Sequence, residues 1–121
     1  QTGALSALAK LFFGVDSAPM HIAAAVDTPT VAIFGPSGAF DWGPWSNGWA
    51  DMAVNPYSKR NGIQRVGQHI VVQQTWDCAP CGKDGCNGSK RSDCLENLAP
   101  DSIQKQLTAL LPVVTNDRKC P

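Results

Sequence analysis

The stretch FFGVDSAPMHIAAAV, which occupies residues 12–26, decides the fold of this chain. Its first residues are apolar and predict a short β-strand that ends at Val15, whereas its alanine-rich second half predicts a helix over residues 17–26. The polar residues between the two halves lie where that helix begins. Because the first N–H groups of a helix have no partner within the helix, and its dipole favours negative charge there, this junction is a candidate anion site.

A second strand is predicted directly after this helix. Pro29 ends the helix, and the run TVAIF at residues 30–34 has the continuous apolar pattern of a strand that is covered on both faces of a parallel sheet. Strand, helix and strand in this order form a βαβ unit, in which ligands bind outside the carboxyl ends of the strands. The turn formed by Gly35, Pro36 and Ser37 should therefore lie beside the junction and complete a ligand cleft. These patterns place the chain in the α/β class.

Further elements are expected on both sides of this unit. The spacing of apolar residues over residues 2–12 predicts an N-terminal helix with Thr2 as its cap. Its predicted buried face consists of Ala4, Leu5, Leu8, Leu11 and Phe12. A third strand is expected at residues 68–73, where apolar and β-branched residues follow one another.

Residues 35–56 show no periodicity and are rich in glycine and proline, as in a long loop. Three tryptophans lie within this segment: Trp42, Trp45 and Trp49. Because large aromatic side chains can hold an irregular segment against a core, we expect the tryptophans to pin this loop. Direct contact between the tryptophans and a ligand is the alternative.

The last predicted element is a helix over residues 101–111, which has its apolar residues on one face and which Pro112 should end. A chain of 121 residues is long enough for one core. We therefore expect one domain over residues 1–112, followed by a tail at residues 113–121. Because the chain opens at Gln1 without an initiator methionine, we expect it to be part of a larger, two-domain protein.

The composition argues against several classes of protein. Ten basic and ten acidic residues give a net charge of zero, so the electrostatic footprint of a protein that binds DNA or RNA is missing. No apolar run approaches the ~20 residues needed to span a bilayer. The locally basic residues are expected to form a solvated surface, with contact to phosphorylated lipids or an anionic leaflet as the alternative. They are Lys59, Arg60, Arg65, Lys83, Lys90 and Arg91.

The cysteines allow two interpretations. Their odd number, five, and the absence of a secretory signal argue against a disulfide framework and favour a reducing cytoplasm. Four thiolates within the Cys-rich segment at residues 78–94 would suffice for a tetrahedral zinc site: those of Cys78, Cys81, Cys86 and Cys94. The spacing of the last two is wider than in a zinc knuckle, so packing cysteines or a cytosolic dithiol are the favoured alternative.

Within the junction, the side chains that could act on an anion are those of Asp16, Ser17 and His21. Ser17 and His21 are four residues apart and therefore lie on one face of the helix. The backbone donors that would face an anion are the N–H groups of Ser17, Ala18 and Met20. On residue types alone, the commoner explanation is that Asp16 or Ser17 only caps the helix and that His21 is a surface histidine.

Residues 15–25 and 28–36, together with the turn WGPW at residues 42–45, resemble the C-terminal domain of the lipopolysaccharide heptosyltransferases of glycosyltransferase family 9. The string Asp-Ser-x-Pro-Met-His, the helix of small residues after it and the Phe-Gly-Pro turn carry this resemblance. The cysteine pattern is also similar to that of members of the family. The resemblance covers about residues 2–112, and the chain is most similar to the members that add the third, branching heptose to the core.

The resemblance implies a GT-B fold, in which two Rossmann-like domains face each other across a cleft. This chain would be the Rossmann-like C-terminal half, a parallel sheet with flanking helices that binds the donor ADP-heptose. By this similarity Asp16 bonds the sugar, the amides of Ser17 and Ala18 hold the diphosphate, and His21 contacts a phosphate or the sugar. Many members have glycine in place of Ala18. We expect alanine to be harmless there, because the residue should begin a helix with a negative φ.

The resemblance further implies inverting transfer of heptose to the inner core of lipopolysaccharide. The base that deprotonates the acceptor hydroxyl would lie in the N-terminal domain. We therefore assign no catalytic residue in this chain, expect it to be inactive alone, and expect no cofactor or metal besides the donor substrate.

The implied partners are ADP-heptose, the lipopolysaccharide acceptor and the N-terminal domain. The implied location is cytoplasmic, with at most peripheral contact to the inner membrane. Two alternatives stay open: the domain of another GT-B enzyme with a hexose donor, and a small Cys-rich metal-binding module.

Overall fold

A mixed four-stranded β-sheet forms the centre of the computed structural model, which describes residues 1–60 and 62–115. The strands are β1 (Phe12–Val15), β2 (Thr30–Ile33), β3 (Gln64–Val66) and β4 (His69–Val72). Their order across the sheet is β1-β2-β4-β3, with β1, β2 and β4 parallel and β3 antiparallel to β4. The predicted α/β class is confirmed, with an antiparallel edge strand in addition to the predicted parallel strands.

In the described part of the chain, five α-helices accompany the sheet. They are α1 (Thr2–Leu8), α2 (Ala18–Ala25), α3 (Ala39–Trp42), α4 (Asp93–Glu96) and α5 (Pro100–Thr115). Helix α2 connects β1 to β2 and has nearly the predicted bounds. Pro19 fits into its first turn, because the N–H that proline lacks would have no partner in the helix there. None of the helices in this part of the chain is long and apolar enough to cross a membrane.

The sequence patterns do not predict β3, because its three residues, QRV, contain no apolar run. Gln64 and Val66 are buried, whereas Arg65 between them is exposed. Gly67 has a φ of 58° and allows the tight turn from β3 into β4. The predicted third strand is β4, which pairs with β2 from Thr30↔His69 to Ile33↔Val72.

Both faces of the sheet are buried, as the continuous apolar pattern of β2 predicts. One face packs against α2 and the loop after β2, in a cluster that contains Met20, Ala32, Phe34, Ala39, Tyr57, Val66 and Val71. The other face packs against α5, in a cluster that contains Val31, Ile70, Val72 and Leu110. Ile103 and Leu107 pack beside Leu110, so the predicted apolar face of the last helix is confirmed for these three residues.

Helix α1 (Thr2–Leu8) covers only the first part of the predicted range 2–12, because Phe12 already belongs to β1, and its predicted buried face is wrong for Leu5 and Leu8. Leu5 and Leu8 are 72% and 83% exposed, whereas Ser6 is buried. The carbonyl of Ser6 accepts a hydrogen bond of 2.6 Å from Oγ1 of Thr28. The helix begins with Thr2 itself, so Thr2 is not its cap. The spacing of apolar residues identifies a stripe on a helix, but it does not identify the side on which α1 packs against α2.

The loop between β2 and β3 is held to the core by one of the three tryptophans and by a tyrosine that the prediction did not select. Trp49 packs against the core, and its Nε1 donates hydrogen bonds to two loop carbonyls. Trp42 and Trp45 are 56% and 40% exposed, so the pinning role is wrong for these two. Tyr57 is buried, and its hydroxyl donates a 2.7 Å hydrogen bond to the carbonyl of Pro44. Burial raises the pKa of Tyr57, which keeps this hydroxyl protonated.

Helix α5 continues beyond its predicted end. It passes Pro112 and ends at Thr115, so the predicted stop at Pro112 is wrong. A proline removes one intrahelical donor and crowds the preceding turn, but its own φ is compatible with a helix. Residues 116–121, which include Cys120 and most of the predicted tail, lie outside the described residues.

Candidate functional site

The site lies at the edge of the sheet where the parallel strands β1 and β2 end. Val15 and Ile33 are paired in register, so the turns that follow them begin side by side. Oγ of Ser37, in the second turn, donates a 2.7 Å hydrogen bond to Oδ2 of Asp16, in the first turn. The prediction that these two segments meet is confirmed by this direct contact.

The start of α2 carries no side-chain cap. Ser17 occupies the N-cap position in an extended conformation, but its hydroxyl donates a 3.1 Å hydrogen bond backwards to the carbonyl of Val15. The carboxylate of Asp16 is turned towards Ser37. Ser17 is thus the N-cap residue by position, but neither Asp16 nor Ser17 makes a side-chain capping hydrogen bond.

Three backbone donors at the start of α2 are left for a ligand. Within the described residues, the N–H groups of Ser17, Ala18 and Met20 have no protein acceptor. Uncapped N–H groups and the positive end of the helix dipole act together on an anion. The junction therefore keeps the electrostatic character that the sequence predicts.

The side chains at the junction differ in their burial and therefore in whether they can contact a ligand. Ala18 is the first residue of α2 and is not among the residues with positive φ, so the expectation that alanine is harmless here is confirmed. The side chain of Met20 is fully buried in the core, and only its N–H faces the junction. Asp16 and Ser17 are half-buried, and the imidazole of His21 is exposed in the first turn of α2. Their binding of a donor stays a prediction.

The turn at Gly35, Pro36 and Ser37 is held from two directions. The side-chain amide of Gln73, the residue after β4, donates 2.8 Å hydrogen bonds to the carbonyls of Gly35 and Ser37. The N–H of Gly82, in the Cys-rich segment, donates a 2.7 Å hydrogen bond to the carbonyl of Pro36. Sequence reasoning missed Gln73. The available signal is its position: a polar residue directly after a buried strand, at the ligand-binding edge of the sheet.

Leu95 packs directly on Gly35, so a side chain at position 35 would have to displace the leucine. A Cβ atom built on Gly35 would lie 2.5 Å from Cγ of Leu95, which is far closer than two carbon atoms normally approach. Leu95 belongs to α4, at the end of the Cys-rich segment. The Cys-rich segment thus contacts the turn through its backbone at Gly82, and the residue after it, Leu95, contacts the turn through its side chain.

The four cysteines of this segment line one small cavity, together with Pro36 and Trp76. Cys94 is buried, whereas Cys78 and Cys81 are exposed, and all four are free thiols. Burial, followed by the neighbouring thiols of Cys86 and Cys81, raises the pKa of the Cys94 thiol. Among residues 1–60 and 62–115, no three His, Cys, Asp or Glu side chains are grouped so that they could hold a metal ion. The zinc hypothesis therefore gains no support from the geometry and stays a prediction.

Several of the locally basic residues are engaged within the segments that carry them. Lys90 pairs with Asp84 at 3.2 Å, and Arg91 pairs with Glu96 at 2.7 Å. The ammonium of Lys59 lies over the ring of Phe40, 5.2 Å from its centroid. These contacts occur on exposed surfaces, where ion pairs contribute little to stability.

Comparison with known proteins adds a family to this geometry. The model of a family described as "Glycosyltransferase family 9 (heptosyltransferase)" matches residues 1–71, which contain both turns of the site. No solved structure matches the chain.

Three curated proteins illustrate what the chain is similar to. "Lipopolysaccharide heptosyltransferase 3" of Escherichia coli is 49% identical over 57 residues, which are 47% of this chain and 17% of that protein. The protein of the same name from Escherichia coli strain K12 is 46% identical over 75 residues, 60% of this chain and 22% of that protein. "Lipooligosaccharide heptosyltransferase 2" of Campylobacter jejuni is 30% identical over 105 residues, 87% of this chain and 27% of that protein. The chain thus spans only a fraction of the length of these relatives.

Proposed function

The chain belongs to glycosyltransferase family 9 (heptosyltransferase), and on this premise we propose that it is the donor-binding part of an enzyme that transfers heptose from ADP-heptose to the inner core of lipopolysaccharide. The printed names of the three relatives, all heptosyltransferases of lipopolysaccharide or lipooligosaccharide, support this proposal. In the proposed enzyme the chain is the Rossmann-like C-terminal half of a GT-B fold. The second domain and the acceptor site belong to the part of the enzyme outside this chain.

The observation that carries the proposal is the pairing of Asp16 with Ser37 beside three free N–H groups. A diphosphate needs donors and positive electrostatic potential, which the uncapped start of α2 supplies. A sugar hydroxyl needs an acceptor of fixed orientation, which the carboxylate of Asp16 supplies while Ser37 holds it. In our proposal the N–H groups of Ser17, Ala18 and Met20 face the diphosphate, and His21 donates to a phosphate oxygen or contacts the sugar.

The proposed chemistry is inverting transfer. The acceptor hydroxyl loses its proton to a base outside this chain and forms a bond to the anomeric carbon, while the bond from that carbon to the diphosphate oxygen breaks. Negative charge then develops on the leaving ADP. Fixed donors at the start of α2 stabilise that charge more than they stabilise the bound donor, which is how a binding site lowers a barrier.

Because the proposed contribution of this chain is leaving-group stabilisation, the isolated chain should bind the donor without transferring heptose. The reaction as proposed needs no cofactor besides the donor. We place it on the cytoplasmic side of the inner membrane, with only peripheral contact to the lipid surface.

Titration calorimetry of the 121-residue chain tests the proposal, with ADP-heptose and a UDP-hexose as the two ligands. We expect ADP-heptose to bind and the UDP-hexose to bind more weakly. Asp16→Ala should abolish the difference. Asp41→Ala, which removes an exposed carboxylate from α3, should leave it unchanged and is the matched control.

Two results would count against the proposal. Equal binding of the two nucleotide sugars would favour another GT-B enzyme with a hexose donor. If ADP-heptose does not bind, or if Asp16→Ala and Asp41→Ala behave alike, the junction is not the donor site.

A further inference from the structure

Gln73 is placed to control the turn at residues 35–37 from inside the protein. It follows the last residue of β4, and only 4% of its surface is exposed. A side-chain amide has two N–H donors. Nε2 uses them on the carbonyls of Gly35 and Ser37, both at 2.8 Å. One buried side chain thus connects the end of β4 to both ends of the turn.

The remaining carbonyl of the turn, that of Pro36, accepts the 2.7 Å hydrogen bond from the N–H of Gly82. All three carbonyls of this turn are therefore engaged. A turn held at each of its carbonyls has little freedom to rotate a peptide plane, and the Cα–Cβ direction of Ser37 is fixed with it. The hydroxyl of Ser37 has one O–H donor, which it donates to Oδ2 of Asp16 at 2.7 Å.

This arrangement forms a continuous chain of contacts along the carboxyl edge of the sheet. It begins at Gln73 after β4, passes through the turn after β2, and ends at Asp16 after β1. Ser37 donates to Oδ2 of Asp16 and so restrains rotation of the carboxylate, while Oδ1 accepts no hydrogen bond from the described residues. Each of these contacts is a hydrogen bond of 2.7 or 2.8 Å, so a displacement of Gln73 would move the turn and, with it, the hydroxyl that holds the carboxylate of Asp16.

From this geometry we infer that Gln73 and Ser37 are positioning residues, which set the orientation of the Asp16 carboxylate towards the sugar of the donor. The inference rests on the proposed function, because it assumes that Asp16 contacts the donor. It adds Gln73, the residue directly after β4, which lies outside the two turns that the sequence motifs mark and outside residues 1–71 of the family match.

The first test compares two buried glutamines that have the same kind of role in the fold. Gln64, on β3, also hydrogen-bonds with loop backbone: its Oε1 accepts from the N–H of Ser58 at 2.7 Å, and its Nε2 donates to the carbonyl of Ser58 at 3.2 Å. Gln73→Leu should weaken the binding of ADP-heptose to the 121-residue chain by about tenfold, the effect expected when a hydrogen bond that orients a charged group is lost. Gln64→Leu should lower thermal stability to a similar extent and leave affinity for ADP-heptose unchanged.

The second test follows the route from Gln73 to Asp16. Ser37→Ala removes the hydroxyl and should weaken ADP-heptose binding by about tenfold with little loss of stability, since Ser37 is half-buried. Ser37→Thr keeps the hydroxyl and should restore most of the affinity. The combination of Gln73→Leu with Ser37→Ala should bind no worse than the weaker single variant, because both act through one carboxylate, whereas Gln64→Leu and Ser37→Ala should combine additively.

The outcomes separate this inference from the proposed function. Loss of binding in Asp16→Ala, with near-normal binding in Gln73→Leu and Ser37→Ala, would overturn the inference and leave the donor site intact. Normal binding in all three variants would overturn the donor site itself. Equal loss of affinity for ADP-heptose in Gln73→Leu and Gln64→Leu would show that Gln73 has only a structural role, and it would also overturn the inference.

Discussion

The junction at residues 16–21 and the Cys-rich segment at residues 78–94 both have the residue types of a ligand site, yet the fold treats them differently. At the junction, side chains from two separate turns meet in a 2.7 Å hydrogen bond, and the helix start beside them is uncapped. In the Cys-rich segment, four thiols line one cavity without forming a group that could hold a metal ion. The first set is brought together by a sheet, and the second only by an irregular stretch of chain.

The difference shows where spacing in the sequence has predictive value. Parallel strands deliver their carboxyl ends to one edge, so residues that follow β1 and β2 must become neighbours. In an irregular segment no repeating geometry connects sequence spacing to distance. The backbone of the Cys-rich segment includes Gly85 with φ of 96° and Lys90 with φ of 60°, and the patterns of the sequence indicate neither.

The largest expected effect concerns the junction alone. In the full-length enzyme that we propose, Asp16→Ala and His21→Ala should each lower kcat/KM by roughly 10²-fold or more, as when a charge-stabilising contact is removed. Steady-state kinetics with ADP-heptose measure this, with Asp41→Ala as the control that should retain activity. Near-wild-type rates in both variants would mean that the junction, like the Cys-rich segment, is not an organised ligand site.

A smaller effect tests the contact between the turn beside the junction, at Gly35, and Leu95, the residue that directly follows the Cys-rich segment. Gly35→Ala places a Cβ against Leu95 and should destabilise the chain by about 1–3 kcal/mol, the usual cost of overpacking. Adding Leu95→Ala should recover part of this loss, because it removes the atoms that clash. Gly48→Ala is the matched control, since a Cβ there would meet no atom within 4 Å, and it should be nearly neutral. Urea unfolding of the wild type and these three variants decides the point; equal losses in Gly35→Ala and Gly48→Ala would mean that Leu95 does not pack on Gly35 as described.

Acid should weaken both regions together, because both depend on the same sheet. His69 begins β4, is buried, and its Nδ1 has no hydrogen-bond partner within the described residues. Burial is the main cause that lowers the pKa of His69 in the folded chain. The unfolded chain then binds more protons, so the stability present above the ordinary histidine pKa of about 6.5 is lost as the pH falls below it. Thermal melts between pH 7.5 and pH 5 should show this loss in the wild type and a flatter profile in His69→Gln. A pH dependence that is the same in both would contradict the assignment to His69.

The smallest expected effect is that of metal removal on the Cys-rich segment. We expect the purified chain to carry less than about a tenth of an equivalent of zinc or iron, and treatment with a chelator should not change its melting temperature. Elemental analysis provides the measurement. A full equivalent that requires all four cysteines would show that the segment, like the junction, is an organised site.

The parts of the fold that sequence reasoning predicts are those with a repeating pattern. The apolar runs of β1 and β2 and the alanine-rich α2 lie where their patterns predict, and so does the one-sided α5 apart from its later end at Thr115. The short strand β3 is not predicted, because an exposed Arg65 interrupts its apolar residues. The burial of Leu5 in α1 is predicted wrongly, because an apolar stripe on a helix does not show which element packs against it.

The site divides in the same way. The proximity of Asp16 and Ser37 could be predicted from the sequence, because the carboxyl ends of parallel strands meet at one edge of the sheet. The role of Gln73 could not be predicted, because no sequence pattern distinguishes a glutamine that donates to two backbone carbonyls from one that faces water. Met20 shows the reverse case: its N–H was correctly placed at the helix start, but its side chain is a core residue.

The most direct test of the central claim is an NMR titration of the 121-residue chain with ADP-heptose. The account predicts that the amide signals of Ser17, Ala18 and Met20 shift most, together with that of Ser37, while signals of residues 78–94 away from Gly82 stay in place. NMR detects weak binding, so the test does not depend on a high affinity of the 121-residue chain for the donor. Shifts concentrated in the Cys-rich segment, or no shift at the start of α2 at the highest soluble ligand concentration, would contradict the claim that this junction holds the donor.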